Sequence, residues 1–112
     1  MKVEISMGDF TDRHSILSIK KENGLDVDKE LFQYEKNKPF DFSYGYYFDI
    51  IKCINSQLWN LEDIKRNGVE RYSKHESNTA FLITELNDCR ARVKKSIDKF
   101  YNSSITEMKS HK

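Results

Sequence analysis

Two runs of apolar residues at helical spacing constrain this chain more than any other feature. The first run places an apolar side chain at every third or fourth position, at Tyr47, Ile51, Ile54, Leu58 and Leu61. The second run comprises Leu82, Leu86, Cys89, Val93 and Phe100. Such spacing aligns side chains on one face of a helix. We predict helices over about residues 46–72 and 78–101, joined by a loop at 73–77 and packed as a long antiparallel hairpin.

The N-terminal part of the chain predicts shorter elements that pack on this hairpin. Alternating polar and apolar residues over positions 1–8 indicate a short extended segment. Asp9 and Asp26 can each cap a helix, because their carboxylates accept hydrogen bonds from the free N–H groups of a first turn. The two shorter helices are predicted over about residues 9–22 and 27–37.

Length and composition predict one all-α domain that covers residues 1–112. The polar segment 102–112 is expected to be a disordered tail. Apolar residues make up 38% of the chain and charged residues 33%. So polar a composition suits thin helical hairpins or a protein that completes its core by oligomerising. The second short helix offers only Leu31 and Tyr34 to a core, while positions 40–48 supply a surplus of aromatic residues. We therefore expect a homo-oligomer, with a dimer as the simplest form.

Charge and hydropathy argue against several kinds of partner. The formal net charge is +1, so no overall basic field attracts nucleic acid or anionic lipid. The local basic strip at 90–95 is interrupted by acidic neighbours and is interpreted as a solvated helix face. No apolar run is long enough to span a membrane, and the N-terminus lacks the apolar core of a signal peptide. We expect a cytoplasmic protein.

The sequence offers little chemistry of its own. His14, His75 and His111 are scattered, without a second ligand at metal-binding spacing. Cys53 and Cys89 form no CxxC pair, and each falls within a predicted helix, so we expect buried, reduced thiols. Phosphate-binding loops and nucleophile motifs are absent. We therefore expect no metal, no cofactor and no catalytic residue, although an enzymatic role stays open.

Six aromatic residues fall within positions 40–48, after the only proline, Pro39. In the first interpretation, this segment is an extended loop whose rings close one end of the helical core. In the second, the rings form an exposed patch for a partner or a ligand.

Polar side chains interrupt the apolar faces of both long helices. They are Trp59, Glu62 and Arg66 on the first helix, with Asn55 above them, and Asn87, Arg90 and Lys94 on the second. An antiparallel hairpin brings the two sets to the same level, and packed helices lie about 8–10 Å apart. We expect Glu62 to pair with Arg66 or Arg90, and Asn87 to join the same network. Asp12 and Lys20 of the first short helix are expected at its edge.

This polar cluster has two interpretations. It can be a structural network, in which every cation has a carboxylate and no cleft opens. Alternatively, Arg66, Arg90 and Lys94 can bind a phosphate or carboxylate, with Glu62 or Asp12 as a base or orienting group.

Four motifs occur in order along the chain. Residues 8–20 read GDFTDRHSILSIK, 55–66 read NSQLWNLEDIKR, 87–98 read NDCRARVKKSID and 107–111 read EMKSH. They resemble G-E-x-x-D-K-x-T-I-L-x-I-K, N-x-x-L-W-x-I-E-D-x-I-R, N-D-x-R-A-x-L-K-x-x-I-N and E-x-K-S-Y in a family of small bacterial and phage proteins with a domain of unknown function. His111 stands where that family has tyrosine, and residues 23–48 and 67–78 depart from its pattern.

The resemblance implies an all-α fold and no particular activity. The function we expect is a non-catalytic binding or accessory module that forms a homo-oligomer. The alternative is a small-molecule site, which could be enzymatic, for a phosphorylated or carboxylated ligand at the interhelical cluster. The candidate ligand-binding residues are Asp12, Lys20, Trp59, Glu62, Arg66, Asn87, Arg90 and Lys94, all but Trp59 in polar positions of the family motifs.

Overall fold

The computed structural model describes residues 5–67 and 74–110, with side chains up to residue 102. Its elements are four helices: α1 (Met7–Glu22), α2 (Asp28–Asn37), α3 (Phe42–Asn67) and α4 (Lys74–Ser110). The described ranges contain no strand. The predicted all-α class is therefore confirmed, and α3 and α4 pack on each other as the hairpin requires.

The two long helices run in opposite directions around a small apolar core. Near the start of α3, the ring centroid of Tyr47 lies 5.9 Å from that of Phe100, which is late in α4. Further along α3, Asn55 shares a carboxylate with Arg90, which is earlier in α4. Between these points Ile51 and Ile97 are fully buried. Antiparallel packing follows from the opposite order of these contacts.

The inward face of α4 differs from the predicted one. Leu82, Cys89 and Phe100 are exposed, although all three belong to the predicted apolar run. Buried or half-buried positions recur instead at three- or four-residue intervals through Glu76, Thr79, Ile83, Leu86, Arg90, Val93, Ile97 and Tyr101, and Lys94 and Asp98 beside them are half-buried as well. The helix is therefore rotated so that a charged residue, Arg90, lies on the inward side.

Several predicted helix ends are wrong because other groups cap the helices. α1 begins at Met7, since the Ser6 side chain accepts a hydrogen bond from the Asp9 backbone N–H at 3.1 Å. Asp26 does not cap α2, whose N-cap is Val27 without a side-chain bond. The Asp41 carboxylate accepts the Tyr44 backbone N–H at 2.7 Å, so α3 starts within the aromatic segment.

The second long helix extends beyond its predicted bounds at both ends. Residues 74–77 are helical rather than a loop, and α4 continues to Ser110 rather than ending at a disordered tail. Residues 7 and 8 of the predicted extended segment 1–8 are helical. Residues 1–4 of that segment, the predicted helix end and loop at 68–73 and the position of His111 lie outside the described residues. Both cysteines are exposed rather than buried, because Cys53 and Cys89 lie beside the inward positions of their helices instead of among them.

α1 is the element that the other helices contact. It packs against α2, α3 and α4, and its buried residues include the polar side chains of Thr11, Asp12, His14 and Ser15. Its apolar side chains are only partly inward: Leu17 and Ile19 are buried, whereas Phe10 and Ile16 are half-buried. A polar surface of α1 therefore faces the hairpin, and its hydrogen bonds decide how the helices fit together.

Gly8 permits the close contact between the start of α1 and the end of α4. Its backbone N–H donates a 2.7 Å hydrogen bond to Oδ1 of Asp98, which places a carboxylate at a helix N-terminus, where the helix dipole favours negative charge. A Cβ atom at this position would lie 2.5 Å from the Lys94 carbonyl oxygen. That oxygen belongs to the backbone of α4, so it cannot rotate away.

We expect Gly8→Ala to lower the free energy of unfolding by about 1–3 kcal/mol, the usual effect of forcing extra volume into a packed interior. Chemical denaturation followed by circular dichroism measures this loss. Gly45→Ala is the matched control: a Cβ there meets nothing within 4 Å, and alanine in a helix should add up to about 1 kcal/mol. Equal effects of the two substitutions would contradict the close contact.

Candidate functional site

Asp12 is the centre of a buried polar network. Its side chain is 4% exposed. Arg90 binds it with two parallel hydrogen bonds, Nε to Oδ1 at 2.8 Å and Nη2 to Oδ2 at 2.5 Å. Lys94 Nζ lies 3.8 Å from Oδ2 of Asp12 and 2.8 Å from Oδ1 of Asp9. The Asp12 carboxylate raises the pKa of Arg90 above its usual value, and the Lys94 ammonium lowers the pKa of Asp9 below its usual value.

α3 joins the same network through a side-chain amide. Asn55 Nδ2 donates to Oδ1 of Asp12 at 2.9 Å and to Oγ of Ser15 at 2.8 Å. The Ser15 hydroxyl in turn donates to the Asp12 carbonyl at 2.7 Å. In the part of the chain with described side chains, every buried side-chain nitrogen or oxygen has a hydrogen-bond partner. Asp12 and Lys94 therefore have the contacts of a structural network.

A cleft of about 350 Å³ opens beside this network, between α1, α3 and α4. Apolar side chains line part of it, at Ile16, Ile19, Leu58 and Trp59. Polar side chains line the rest, at Asn55, Glu62, Arg66, Asn87 and Arg90. The two polar stripes thus meet at one cleft, as their levels in the hairpin predict.

The ion pairs differ from the prediction, however. Arg90 pairs with Asp12, and Arg66 Nη2 lies 3.9 Å from Oδ1 of Asp63. Glu62 is exposed and forms an ion pair with neither arginine, so that part of the prediction is wrong. Lys20 is half-buried in the last turn of α1 and does not line the cleft.

A second buried network surrounds His14, which the sequence suggests only as an isolated histidine. Its Nδ1 lies 2.6 Å from the Tyr44 hydroxyl, and its Nε2 lies 2.8 Å from Oε1 of Glu35. The rings of Phe10, Tyr34 and Phe48 lie within 6.3 Å of the imidazole. Its partners are far away in sequence, so no spacing signals this arrangement.

The partners of His14 define its protonation state. The Glu35 carboxylate only accepts hydrogen bonds, so Nε2 carries a proton and Nδ1 accepts from the Tyr44 hydroxyl. Burial lowers the pKa of His14, against the opposing effect of Glu35. Burial also raises the pKa of Tyr44, which keeps its hydroxyl a donor. This relay, in which the imidazole is neutral, connects α1 to both α2 and α3.

The aromatic segment divides between the core and the surface. Tyr44 is 3% exposed, in line with the core interpretation. Phe40 is 96% exposed, Phe42 93% and Tyr46 71%, in line with the alternative. Ile50 and Phe100 are 41% and 42% exposed. The five side chains form one surface, which we call the aromatic face, because Phe40 and Phe42 line one groove and Phe42 and Tyr46 line two others with Ile50 or Phe100. Shallow grooves of about 450 and 380 Å³ run beside Phe42 and Tyr46.

We expect Asp12→Ala to lower the free energy of unfolding by about 3 kcal/mol. This is the lower end of the range for a broken buried ion pair, because Arg90 retains some solvent access. Glu62→Gln should change it by no more than about 0.5 kcal/mol, as is usual for an exposed site. Urea denaturation measures both. A larger loss for Glu62→Gln than for Asp12→Ala would contradict the network described above.

The pH dependence of stability should contain a contribution from His14. An unfolded histidine takes up a proton near pH 6.5, whereas burial makes the folded one resist protonation. Stability should therefore be lost as the pH falls below about 6.5 and be fully present above it. Between pH 7.5 and 5.5, wild-type protein should lose more stability than His14→Gln. The control His75→Gln, at an exposed position, should lose as much as wild type; a wild-type slope in His14→Gln would refute this origin.

Among the described residues, no three His, Cys, Asp or Glu side chains come together as a metal site, and no helix has the length and hydropathy of a membrane span. No curated protein and no solved structure matches the chain significantly. The sequence profile of one family matches residues 1–112, the whole chain. The protein belongs to this family, the family of unknown function DUF6165.

Proposed function

We propose that this protein is a non-catalytic binding module that forms a homodimer through its aromatic face. The observation that carries the proposal is the near-complete exposure of Phe40 and Phe42, at 96% and 93%, beside Tyr46. Single exposed apolar residues are ordinary, but a contiguous group of large rings is typical of an interaction surface. Aromatic residues are also enriched in the centres of such interfaces.

The area of the aromatic face agrees with what a dimer needs. A large aromatic side chain can bury about 150–250 Å², so the exposed fractions of its five side chains amount to roughly 600 Å² on one copy. Two copies would bury on the order of 1,200 Å², the lower end of the range for a specific interface. Neighbouring polar residues would add to this value.

The chemistry of the aromatic face favours a second copy as the partner. A twofold dimer uses the same patch twice, so the patch must complement itself. Apolar rings meet this condition without any charge pattern. With a net charge of +1, the chain also has little overall repulsion to overcome. The cytoplasmic location and the bacterial or phage origin expected from the sequence stay predictions that accompany this proposal.

Sedimentation velocity tests the proposal. At about 100 μM, well above a dissociation constant near 1 μM that a dimer of this kind would have, wild-type protein should sediment as a dimer. Phe42→Glu should sediment as a monomer, because two copies would place carboxylates within the apolar interface. Since Phe42 is almost fully exposed, this change should leave the fold intact, which circular dichroism checks.

Phe81→Glu is the matched control, because Phe81 is 64% exposed on α4 and belongs to neither groove beside the aromatic face. This variant should remain a dimer. A monomeric wild-type protein at the stated concentration would refute the proposal. A dimer that Phe81→Glu dissociates and Phe42→Glu does not would refute the assigned face.

A further inference from the structure

The cleft has both an apolar and a polar lining, and one small molecule can contact both. Arg66, Asn87 and Arg90 supply N–H donors, and Glu62 supplies a carboxylate. We propose that the cleft binds a small zwitterion with an apolar side chain, of the α-amino acid class. The proposal goes beyond the dimer of the previous section and depends on different residues.

Arg90 has donors left for the carboxylate of such a ligand. A guanidinium carries five N–H groups, and the two bonds to Asp12 use Nε and Nη2. Nη1 takes no part in these bonds, while the side chain lines the cleft. The Asp12 contact thus holds the guanidinium in place from behind, which lowers the conformational cost of binding.

Arg66 supplies the positive charge that is not already neutralised. Its contact with Asp63 is 3.9 Å long, and both side chains are more than 60% exposed. Such exposed pairs contribute little stability, so a ligand carboxylate can replace Asp63. A carboxylate that Arg66 and Arg90 share would form charge-assisted hydrogen bonds, which are about twice as strong as neutral ones.

The charge balance of the cleft selects a zwitterion over a simple anion. Because Asp12 neutralises Arg90, the remaining formal charges in the lining are Arg66 and Glu62, of opposite sign. Neither arginine of the lining pairs with Glu62, so its carboxylate can accept an ammonium group of the ligand. A dianionic phosphate carries one negative charge more than Arg66 can neutralise, and this charge would lie next to the negative Glu62 carboxylate.

The apolar lining defines the rest of the ligand. Ile16, Ile19 and Leu58 form an apolar wall, and the half-buried ring of Trp59 lies beside them. The volume of about 350 Å³ is near the lower limit for small-molecule sites. An aliphatic side chain can therefore contact this wall while the polar groups of the amino acid reach the rim.

The residues changed in the two sets of tests lie far apart on α3. Glu62 follows Phe42 by 20 positions, or about 30 Å along the helix axis. A monomeric variant should bind ligand as wild type does, so failure of one proposal leaves the other intact.

Trp59 is the only tryptophan, so its fluorescence reports directly on the cleft. L-leucine should change the emission in a saturable way. N-acetyl-L-leucine, which lacks the ammonium, and L-leucinamide, which lacks the carboxylate, should each bind at least about tenfold more weakly, since each loses hydrogen bonds to a charged group. Inorganic phosphate should give no saturable change.

Two variants separate the roles of the charged groups. Arg66→Ala should weaken L-leucine at least about tenfold. Glu62→Gln should weaken L-leucine to a similar extent but should not weaken N-acetyl-L-leucine, which has no ammonium group for the Glu62 carboxylate to accept. Lys65→Ala and Glu85→Gln are matched controls at exposed positions outside the cleft lining, and should bind as wild type does. Thermal unfolding confirms that each variant is folded.

Three results would overturn the proposal. The first is no saturable response to L-leucine up to about 10 mM, beyond a dissociation constant of about 1 mM, which is weak binding for a small molecule. The second is equal binding of L-leucine and its two capped forms, which would show that the cleft does not recognise the ammonium and carboxylate groups of the ligand. The third is a saturable response to phosphate alone, which would assign the arginines to a phosphate group instead.

Discussion

The rest of the structure depends on the contacts of one buried group, the carboxylate of Asp12. An unpaired carboxylate in this position would cost several kcal/mol of desolvation, so helix packing must bring it a cation and hydrogen-bond donors. Arg90 meets the first requirement from α4, and Asn55 meets the second from α3. Each bond fixes the rotation of one long helix relative to α1. The rotated inward face of α4, with Arg90 between Leu86 and Val93, follows directly from this need.

A polar interior has a consequence for the exterior of the protein. α1 turns Thr11, Asp12, His14 and Ser15 toward its neighbours, positions that apolar side chains could have occupied. Their hydrogen bonds satisfy one another's buried polar atoms, but they add little stability beyond what apolar packing would give, because a buried ion pair is often no better than a well-packed apolar group. Meanwhile Phe40 and Phe42 remain at the surface. The division of rings between the core and the aromatic face therefore agrees with a protein that completes its apolar burial by association.

Periodicity predicts the elements of this fold better than it predicts their orientation. The apolar run through Ile51 and Leu58 identifies the inward face of α3 correctly, because that face is apolar. On α4 the same rule fails, since it counts Leu82 and Cys89 and ignores Arg90, whose inward position depends on a residue about 80 positions away. Counting residues in both directions from the hairpin loop also predicts correctly that Glu62 and Asn87 lie at the same level, and both line one cleft. It pairs Glu62 with Arg90 wrongly, because local spacing contains no information on how deeply α1 inserts.

Arg90 links the structural network to the proposed ligand site. Its Nε and Nη2 face the Asp12 carboxylate, and the side chain also lines the cleft. A guanidinium is planar and rigid, so the two contacts on one edge determine where its remaining donors point. A lysine at this position would neutralise Asp12 as a point charge, but it would present no second, fixed set of donors. In the proposed site, the carboxylate that organises the helices would therefore also orient the guanidinium that meets the ligand.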